Sequence, residues 1–414
     1  MNRKIIALAS ALTICVGAFA QETASKPAPE AHLKWYGFVR TYFAFDSRES
    51  SAGTEDLYYY MPKDRDMSGD VDLNATPSFR FASLTSRLGV DVSGYEIQGF
   101  KVGAKIETDF YSGVSGVTGT AQLRLRQAYM TMARNGSTWK IGQAWHPMAA
   151  DLPDIFSLES GAPFGPFSRT PQVNFEKAMG DGMSITAAAI WQMQYTSTGP
   201  DGAKADYQRN GLIPELYAGI NIKGDNSLVR VGADLLSIKP RRYGSSGIVD
   251  DRLTTLNLFE YGQFKAGDWT VKEKVTYAND GSHMNLVGGY GVSAMAEDGS
   301  WDYSATRSLS GWATFQHKKK GSNWVPSLLI GYIKELGTAN EIKGTFWCKN
   351  SANAVNQMFR FQPEVLYNMG KVAFGLEYMC TGVEYGKANA SKLVTDDLHW
   401  ILNHRIQMMA KYTF

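Results

Sequence analysis

The sequence lacks the features by which a helical membrane protein or a metal-dependent enzyme is usually recognised. After the first twenty residues, no segment comes near the roughly 18 consecutive apolar residues that a membrane-spanning helix requires. Its 414 residues include 3 cysteines and 6 histidines, and none of the histidines falls in a nucleophile or metal-ligand motif. The mean hydropathy of −0.26 is typical of soluble proteins. Hydropathy does not detect transmembrane barrels, however, because only every second strand residue of a barrel meets lipid.

The first twenty residues have the three-part layout of a secretory signal peptide. Arg3 and Lys4 precede an apolar run that ends at Cys15, and small residues stand before Gln21. The run is too short to span a bilayer, and Cys15 lies inside it, so neither a membrane anchor nor a lipoprotein is indicated. We therefore expect residues 1–20 to be removed, residues 21–32 to form a short disordered lead-in, and residues 33–414 to form the folded domain.

The charge balance excludes one class of partner. Lysine and arginine number 42 and aspartate and glutamate 40, which gives a formal net charge of +2. Removal of Arg3 and Lys4 with the signal peptide leaves the mature chain formally neutral. A neutral chain does not have the broad basic surface that nucleic acids require, so we expect no nucleic-acid partner.

The composition and the C-terminus together favour a transmembrane β-barrel. The chain contains 41 Gly, 21 Tyr, 20 Phe and 10 Trp, a bias that a secreted β-sandwich would share. The C-terminus separates these alternatives, because its side chains alternate with period two. One face carries Phe414, Tyr412, Ala410, Met408 and Ile406, and the other carries Thr413, Lys411, Met409, Gln407 and Arg405. A terminal strand of this kind, ending on Phe414, resembles the signal that the barrel-assembly machinery of bacterial outer membranes recognises.

Turn residues predict about 16 strands in an antiparallel all-β barrel. Tight turns are expected at Ser93-Gly94, Asn135-Gly136, Gly180-Asp181-Gly182, Gly224-Asp225-Asn226, Gly267-Asp268, Gly321-Ser322-Asn323 and Asn368-Met369-Gly370. Longer outer loops are expected near 47–77, 112–119, 145–171, 196–211, 239–251, 279–308, 337–356 and 382–396. Tight turns belong at the periplasmic end of such barrels, so both termini should be periplasmic in a Gram-negative outer membrane.

Charged residues of the predicted strands should face the lumen. Gln122, Arg124 and Arg126 share one strand face, and a charge turned towards lipid would cost roughly 2 to 4 kcal/mol. The same alternation places further charges inside: Arg40, Arg87, Lys101, Lys105, Lys272, Lys274 and Arg360, with Glu107 and Asp109 as opposing acids. These charges either select solutes or form a solvated wall without selectivity, and the sequence leaves both open.

Residues 142–173 carry a more specific pattern. Gly142-Gln143-Ala144-Trp145 is followed by Leu152-Pro153-Asp154, Gly161-Ala162-Pro163 and Arg169-Thr170-Pro171-Gln172. This order resembles the DcaP-like porin family, whose members have a Gly-Gln-x-Trp strand end, a Leu-Pro-Asp element, a Gly-Pro-rich stretch and an Arg-x-Pro-Gln strand entry around the third loop. The similarity covers about forty residues together with the overall strand plan.

The resemblance implies a trimer of sixteen-stranded barrels for passive diffusion of small hydrophilic solutes, with loop three (145–171) folded into each lumen. Position by position, it implies that Arg124, Arg126 and Arg169 are pore-wall cations and that Asp151, Asp154 and Glu159 form the acidic part of the loop. Small anions such as carboxylates would then be favoured. The helical coiled-coil segment of some members has no counterpart in residues 21–32, which are too short and rich in proline.

Alternation places Glu273 on the outer face among apolar residues, where a carboxylate facing lipid would be costly. A contact between subunits would explain a carboxylate at this position. Besides its own copies, the barrel is expected to meet outer-membrane lipid and the assembly machinery, and no cofactor or metal is indicated. Two other functions remain open, a non-conducting surface barrel that acts as an adhesin or lattice protein and an outer-membrane barrel hydrolase. Cys348 and Cys380 are both expected near the outer end, either bridged in the oxidising envelope or unpaired.

Overall fold

The computed structural model describes residues 31–111, 120–245, 247–349 and 351–414. These residues form a closed antiparallel barrel of 16 strands, which confirms the predicted fold class. The predicted signal peptide, residues 21–30 of the predicted lead-in and residues 112–119 of the second outer loop lie outside the described residues.

The barrel strands follow one another around the wall in chain order. They are β1 (His32–Asp46), β2 (Ser78–Ala82 and Arg87–Ile97), β3 (Phe100–Phe110), β4 (Leu123–Arg134), β5 (Ser137–Trp145), β6 (Arg169–Gly180), β7 (Met183–Ile190), β8 (Glu215–Lys223), β9 (Ser227–Ile238), β10 (Leu253–Ala266), β11 (Trp269–Asn279), β12 (Trp301–His317), β13 (Trp324–Thr338), β14 (Val355–Met369), β15 (Val372–Ala388) and β16 (Val394–Thr413).

The outer loops contain short elements of their own. Short strands pair as Ser50–Gly53 with Tyr58–Pro62, Met67–Ser68 with Val71–Asp72, Thr198–Gly199 with Gly202–Ala203, and Tyr243–Gly244 with Gly247–Ile248. Strand Gly288–Met295 pairs with both β12 and Phe346–Lys349. The helical segments are Pro147–Ala149, Asp206–Gly211 and Gly281–Met284. None of the helices in the described ranges is long and apolar enough to cross a membrane.

The barrel closes where the first strand meets the last. In the register of β1 and β16, Phe38 lies opposite Thr413 and Asp46 opposite Arg405. The backbone N–H of Phe414 donates to the carbonyl oxygen of Gly37 at 3.1 Å. Glycine is required there, since a Cβ on Gly37 would stand 2.6 Å from the Phe414 ring. Closure therefore pairs the backbone groups of both edge strands, as a lipid environment demands.

Alternation along β16 follows the prediction from the sequence. Ile406, Met408 and Tyr412 are exposed on the outer surface, whereas Arg405 and Gln407 are buried inside the barrel. The backbone thus separates a lipid-facing apolar surface from a polar interior, because successive strand residues point to opposite faces.

The first predicted tight turn is wrong by five residues. Ser93-Gly94 lies within β2 at a bulge, where the register with β3 shifts between Val92 and Tyr95. The chain turns instead at Gln98-Gly99, where φ is 51° and 77°. Two successive residues with positive φ suit a two-residue hairpin turn, whereas one glycine inside a strand is typical of a bulge.

The last predicted outer loop is also too long. Residues 382–396 were expected to form a loop, but β15 continues to Ala388, and Ala388 pairs with Val394 at the start of β16. Val383, Tyr385 and Val394 are buried, so period-two burial persists above the membrane. Part of the predicted sixth loop is likewise strand, because β12 begins at Trp301 rather than after Ser308.

Of the two states that the sequence left open for Cys348 and Cys380, the structure has the unpaired one, since both cysteines are free. Cys380 lies between Met379 and Thr381, which are buried in the lumen, so alternation turns its thiol to the outer surface. Cys348 packs instead against the apolar cluster of the loops inside the barrel. The two thiols therefore lie on opposite sides of the barrel wall, and no rotamer change joins them.

Deleting Phe414 is expected to reduce assembly of the barrel, because it removes the last backbone bond of the closure and exposes Gly37. The measurement is the fraction of protein in the compact band of a semi-native gel after cell fractionation. Tyr412→Phe is the matched control, since it keeps an aromatic ring and should assemble normally. Wild-type assembly of the deletion variant would contradict this account of closure.

Candidate functional site

Loop 3, the connection between β5 and β6, crosses the lumen and reaches the opposite wall. The backbone N–H of Phe156 donates to Glu364 of β14 at 2.9 Å, and the hydroxyl of Tyr42 in β1 donates to the Phe156 carbonyl at 2.8 Å. Lys274 of β11 donates to the carbonyl oxygens of Met148 and Asp151 at 2.9 and 2.7 Å. These bonds satisfy loop backbone groups that would otherwise be buried without partners. The inward fold of loop 3 expected from the sequence is therefore confirmed.

The carboxylates of loop 3 are used to anchor it. Asp154 pairs with Lys272 of β11, and Asp151 lies 3.6 Å from Arg230 of β9. Glu159 is 3.7 Å from Arg360 of β14, and burial raises its pKa although Arg360 acts in the opposite direction. These three acids, which the resemblance implied to form the acidic part of loop 3, therefore bind the barrel wall.

Arg360 is the most connected anchor and is fully buried. Its guanidinium donates to the carbonyl of Ala162 in loop 3 at 3.0 Å, to the carbonyl of Tyr60 in loop 1 at 2.9 Å, and to Thr381 of β15 at 3.1 Å. One side chain therefore ties two outer loops to the barrel wall.

Loops 1 and 6 also enter the lumen, which was not expected from the sequence. In loop 1 (residues 47–77), Leu57, Tyr59 and Met61 are fully buried, and the Tyr60 hydroxyl donates to the carbonyl of Asn285 in loop 6 at 2.9 Å. In loop 6, Met284 and Leu286 share one apolar cluster with Tyr60 and Met61 of loop 1. A run of apolar and aromatic residues in a loop was the only sequence signal for this packing.

A cavity of about 550 Å³ remains between loop 3 and the wall formed by β1 to β4. Its charged lining comprises the cations Arg40, Arg87, Arg124, Arg126, Lys349 and Lys411 and the acids Glu107 and Asp109. Loop 3 contributes apolar and small polar side chains, among them Leu152, Ile155 and Ser157. Positive charge on one wall thus faces an uncharged loop surface.

Two of the predicted cations are already paired. Arg124 binds both carboxylate oxygens of Asp109 at 2.9 Å, and Arg126 binds Glu107 at 2.8 Å and Asp109 at 2.7 Å. Such bidentate pairs hold both partners in fixed positions. The predicted face of Arg124 and Arg126 exists, but most of its charge is balanced by neighbouring β3.

Three cations around one ring supply most of the excess positive charge, and Lys349 supplies the rest. Arg40, Arg87 and Lys411 lie 4.8, 5.1 and 6.0 Å from the centre of the Phe38 ring. Arg40 donates to Thr85, and Arg87 stands 3.7 Å from Glu107, which Arg126 already engages. The Nε atoms of Arg40 and Arg87 have no hydrogen-bond partner among the described residues. We call Arg40, Arg87 and Lys411 the cation cluster.

Two other predicted cations lie elsewhere. Lys105 pairs with Asp91 at 2.6 Å and donates to Tyr36 at 3.0 Å, so its charge is balanced locally. Arg169 is buried behind the rings of Trp145 and Phe167, which lie 4.7 and 5.5 Å from its guanidinium. The two rings line the cavity and Arg169 does not, which corrects its expected place beside a passing solute.

A second polar group was not foreseen, because its members are distant in sequence. His146, Glu215, Asp234 and His283 meet on the other side of loop 3 and are all buried. His146 and Glu215 together with Asp234 form a set whose ligand atoms lie within 4.8 Å of one another. The expectation that the chain has no metal-ligand motif was based on the spacing of residues close together in the sequence. These four residues are far apart in the sequence, so no such motif includes them.

Known outer-membrane channels share this fold. The outer-membrane channel DcaP of Acinetobacter baumannii matches with a TM-score of 0.69 and 21% identity, over 95% of this chain and 99% of that one. The anion-selective porin of Comamonas acidovorans matches with a TM-score of 0.57 and 10% identity, over 93% and 100%. The trimer form of OmpT, an outer-membrane protein of Vibrio cholerae, matches with 0.53 and 12%, over 93% and 99%. No family model and no curated protein matches the sequence. The fold implied by the DcaP-like resemblance is confirmed.

Replacing Arg360 by Gln is expected to loosen loop 3, because buried carbonyl groups and Glu159 lose their partner. Removing one member of a buried ion pair costs about 3 to 5 kcal/mol. Single-channel recordings should show a larger and noisier conductance than the wild type. Lys387→Gln is the control, since its pair with Asp397 is exposed, lies away from loop 3 and should contribute about 1 kcal/mol or less. An unchanged conductance in Arg360→Gln would show that the anchor does not hold the loop.

Proposed function

We propose that this barrel is a diffusion porin of a Gram-negative outer membrane that favours small hydrophilic anions, carboxylates in particular. The observation that carries the proposal is the lining of the cavity, in which cations outnumber acids by six to two. The fold shared with outer-membrane channels supports the location and the passive mechanism. Both termini are proposed to be periplasmic, because the tight turns lie at the end of the barrel from which β1 starts.

The arrangement of charge supports a preference for anions. A positive wall facing uncharged low-dielectric protein concentrates anions in a narrow passage. The cation cluster supplies most of this field, since Arg124 and Arg126 are balanced by Asp109 and Glu107. Guanidinium groups bind carboxylates through two parallel hydrogen bonds and stay charged over the physiological pH range, which favours carboxylate solutes over halides.

Three loops narrow the lumen, and this observation supports a second candidate function. A barrel filled by loops 1, 3 and 6 would also suit a non-conducting surface protein, such as an adhesin or lattice protein. Conductance in a planar bilayer separates the two functions directly. We assign no catalytic activity, and the solved structures of the same fold include a channel and an anion-selective porin.

We further propose that three copies associate through their outer walls. Glu273 lies on the outer face of β11, as alternation predicted. Glu260 lies on the same face of the neighbouring strand β10, diagonally across from Glu273, because it pairs with Val275 two positions along β11. Two adjacent carboxylates facing lipid would be costly, whereas a contact with another barrel would shelter them. A trimer form of one barrel of this fold is consistent with this proposal.

Replacing Arg40 and Arg87 together by Gln is expected to lower the anion-to-cation permeability ratio several-fold. Glu107 keeps Arg126 as its partner when Arg87 is lost, so little of the removed charge is compensated and the reversal potential in a salt gradient should move towards the cation value. The matched control is Arg124→Gln with Arg126→Gln, which removes as many charges. There Asp109 loses both of its arginine partners, which favours its neutral form and offsets part of the lost charge, whereas Glu107 keeps Arg87, so the shift should be smaller. An equal or larger shift in the control pair would refute the assignment to the cation cluster.

Anion preference is also expected to fall as pH rises through about 8. Burial lowers the pKa of Lys349 to about 8, although Asp280 acts in the opposite direction. Lys349 is therefore charged below that pH and neutral above it, and the cavity loses one cation on going from about pH 7 to about pH 9. Lys349→Arg should abolish this step, because arginine stays charged. The same pH dependence in the variant would exclude Lys349 as its origin.

A further inference from the structure

Behind loop 3, four ionisable side chains from four separate segments meet without contact with solvent. His146 follows β5, Glu215 begins β8, Asp234 lies in β9, and His283 belongs to the helical turn Gly281–Met284 of loop 6. All four are at most 2% exposed. No arginine or lysine of the described residues forms an ion pair with them. Buried charges without a compensating ion are costly, so the group requires an explanation.

The distances among these side chains bracket those between ligands of one metal ion. His283 Nε2 lies 3.2 Å from Glu215 Oε1 and 3.9 Å from Asp234 Oδ2. Ligand atoms bound at about 2.0 to 2.2 Å in a tetrahedron stand about 3.3 to 3.6 Å apart. Glu215 Oε2 and Asp234 Oδ1 are buried and have no hydrogen-bond partner among the described residues. Two carboxylate oxygens are thus free to bind an ion. His283 Nε2 shares a hydrogen bond with Glu215 Oε1, and an ion bound to this nitrogen would replace that hydrogen bond.

The remaining contacts fit the role of supporting partners. His146 Nδ1 accepts the backbone N–H of Met148 at 3.2 Å, so a neutral ring carries its proton on Nε2 and donates it to Glu215 at 2.8 Å. Asn257 donates to Asp234 Oδ2 at 3.0 Å. Carboxylates that bind metals are commonly held by such outer hydrogen bonds.

We propose that the chain binds one divalent transition-metal ion, of the Zn²⁺ class, through His283, Glu215 and Asp234. Imidazole with carboxylate is a donor set suited to this class, and one double positive charge balances two buried carboxylates. The alternative is a proton shared between Glu215 and Asp234, which would leave the protein without affinity for zinc. The ion joins loop 6 to the wall strands β8 and β9, and through His146 it also holds the start of loop 3. It therefore stabilises two of the loops that narrow the lumen.

The test measures zinc in the full-length barrel purified in detergent. Protein refolded with a chelator and then dialysed against Zn²⁺ should retain about one zinc per chain by elemental mass spectrometry. Zn²⁺ should also raise the melting temperature, because an ion that binds the folded state alone stabilises it. Asp234→Asn and Glu215→Gln, which preserve shape, should each lower zinc affinity at least about tenfold and lose the rise in melting temperature.

Two further variants make the result decisive. His404→Gln removes a histidine on the outer surface, where it contacts Tyr378, and should leave zinc binding unchanged. His283→Gln changes a loop residue, so the barrel should still assemble even if the strand variants do not, and it should lose zinc. Less than about 0.1 zinc per wild-type chain would overturn the proposal. Retention of zinc by His283→Gln would overturn it as well, since the ion would then lie elsewhere.

Discussion

The pairing of backbone groups across the junction of β1 and β16 is the constraint on which the rest of this structure depends. A strand edge left open in lipid would expose unpaired N–H and carbonyl groups, so the sheet has to close on itself. Closure then gives every strand residue one of two environments, the outer apolar surface or the lumen. Ionisable side chains such as Arg405 and Arg360 are placed inside by this division. The outer loops must find their own partners among those charges.

Charges in the lumen serve two purposes in this barrel, and their partners distinguish them. One group holds loop 3 in place by binding its carboxylates and carbonyl groups, and it consists of Lys272, Lys274 and Arg360. The positive charge of these residues is compensated by the loop. The cation cluster binds no group of loop 3 and borders the cavity, and its one ion-pair partner among the described residues, Glu107, is shared with Arg126, so most of its charge is available to a solute. Counting the charged residues of the lumen would not separate these two groups. Their contacts do, because they show which cations are compensated by protein groups and which still produce an electric field in the lumen.

Most of the barrel could be predicted from local patterns, and the errors have local causes. Side-chain alternation and turn residues are properties of a few consecutive residues, which is why six of the seven predicted tight turns lie where the strands reverse. The turn predicted at Ser93-Gly94 was wrong because glycine occurs both at β-bulges and in tight turns, so its presence alone does not distinguish the two. The lengths of β15 and β16 were underestimated, because strands that pair above the membrane no longer need apolar outer faces.

By itself, the sequence determined the strand plan and the face to which each charged side chain turns, since both follow from a period of two residues along the chain. Only the tertiary structure decided what those side chains meet. Asp109 neutralises Arg124, the thiols of Cys348 and Cys380 lie on opposite sides of the wall, and His146 joins His283 across 137 positions of sequence. Such contacts depend on how loops of different origin pack in one lumen, and no spacing along the chain encodes them. The physical reason is that closure brings residues far apart in sequence into one small volume, where burial and charge balance choose the partners.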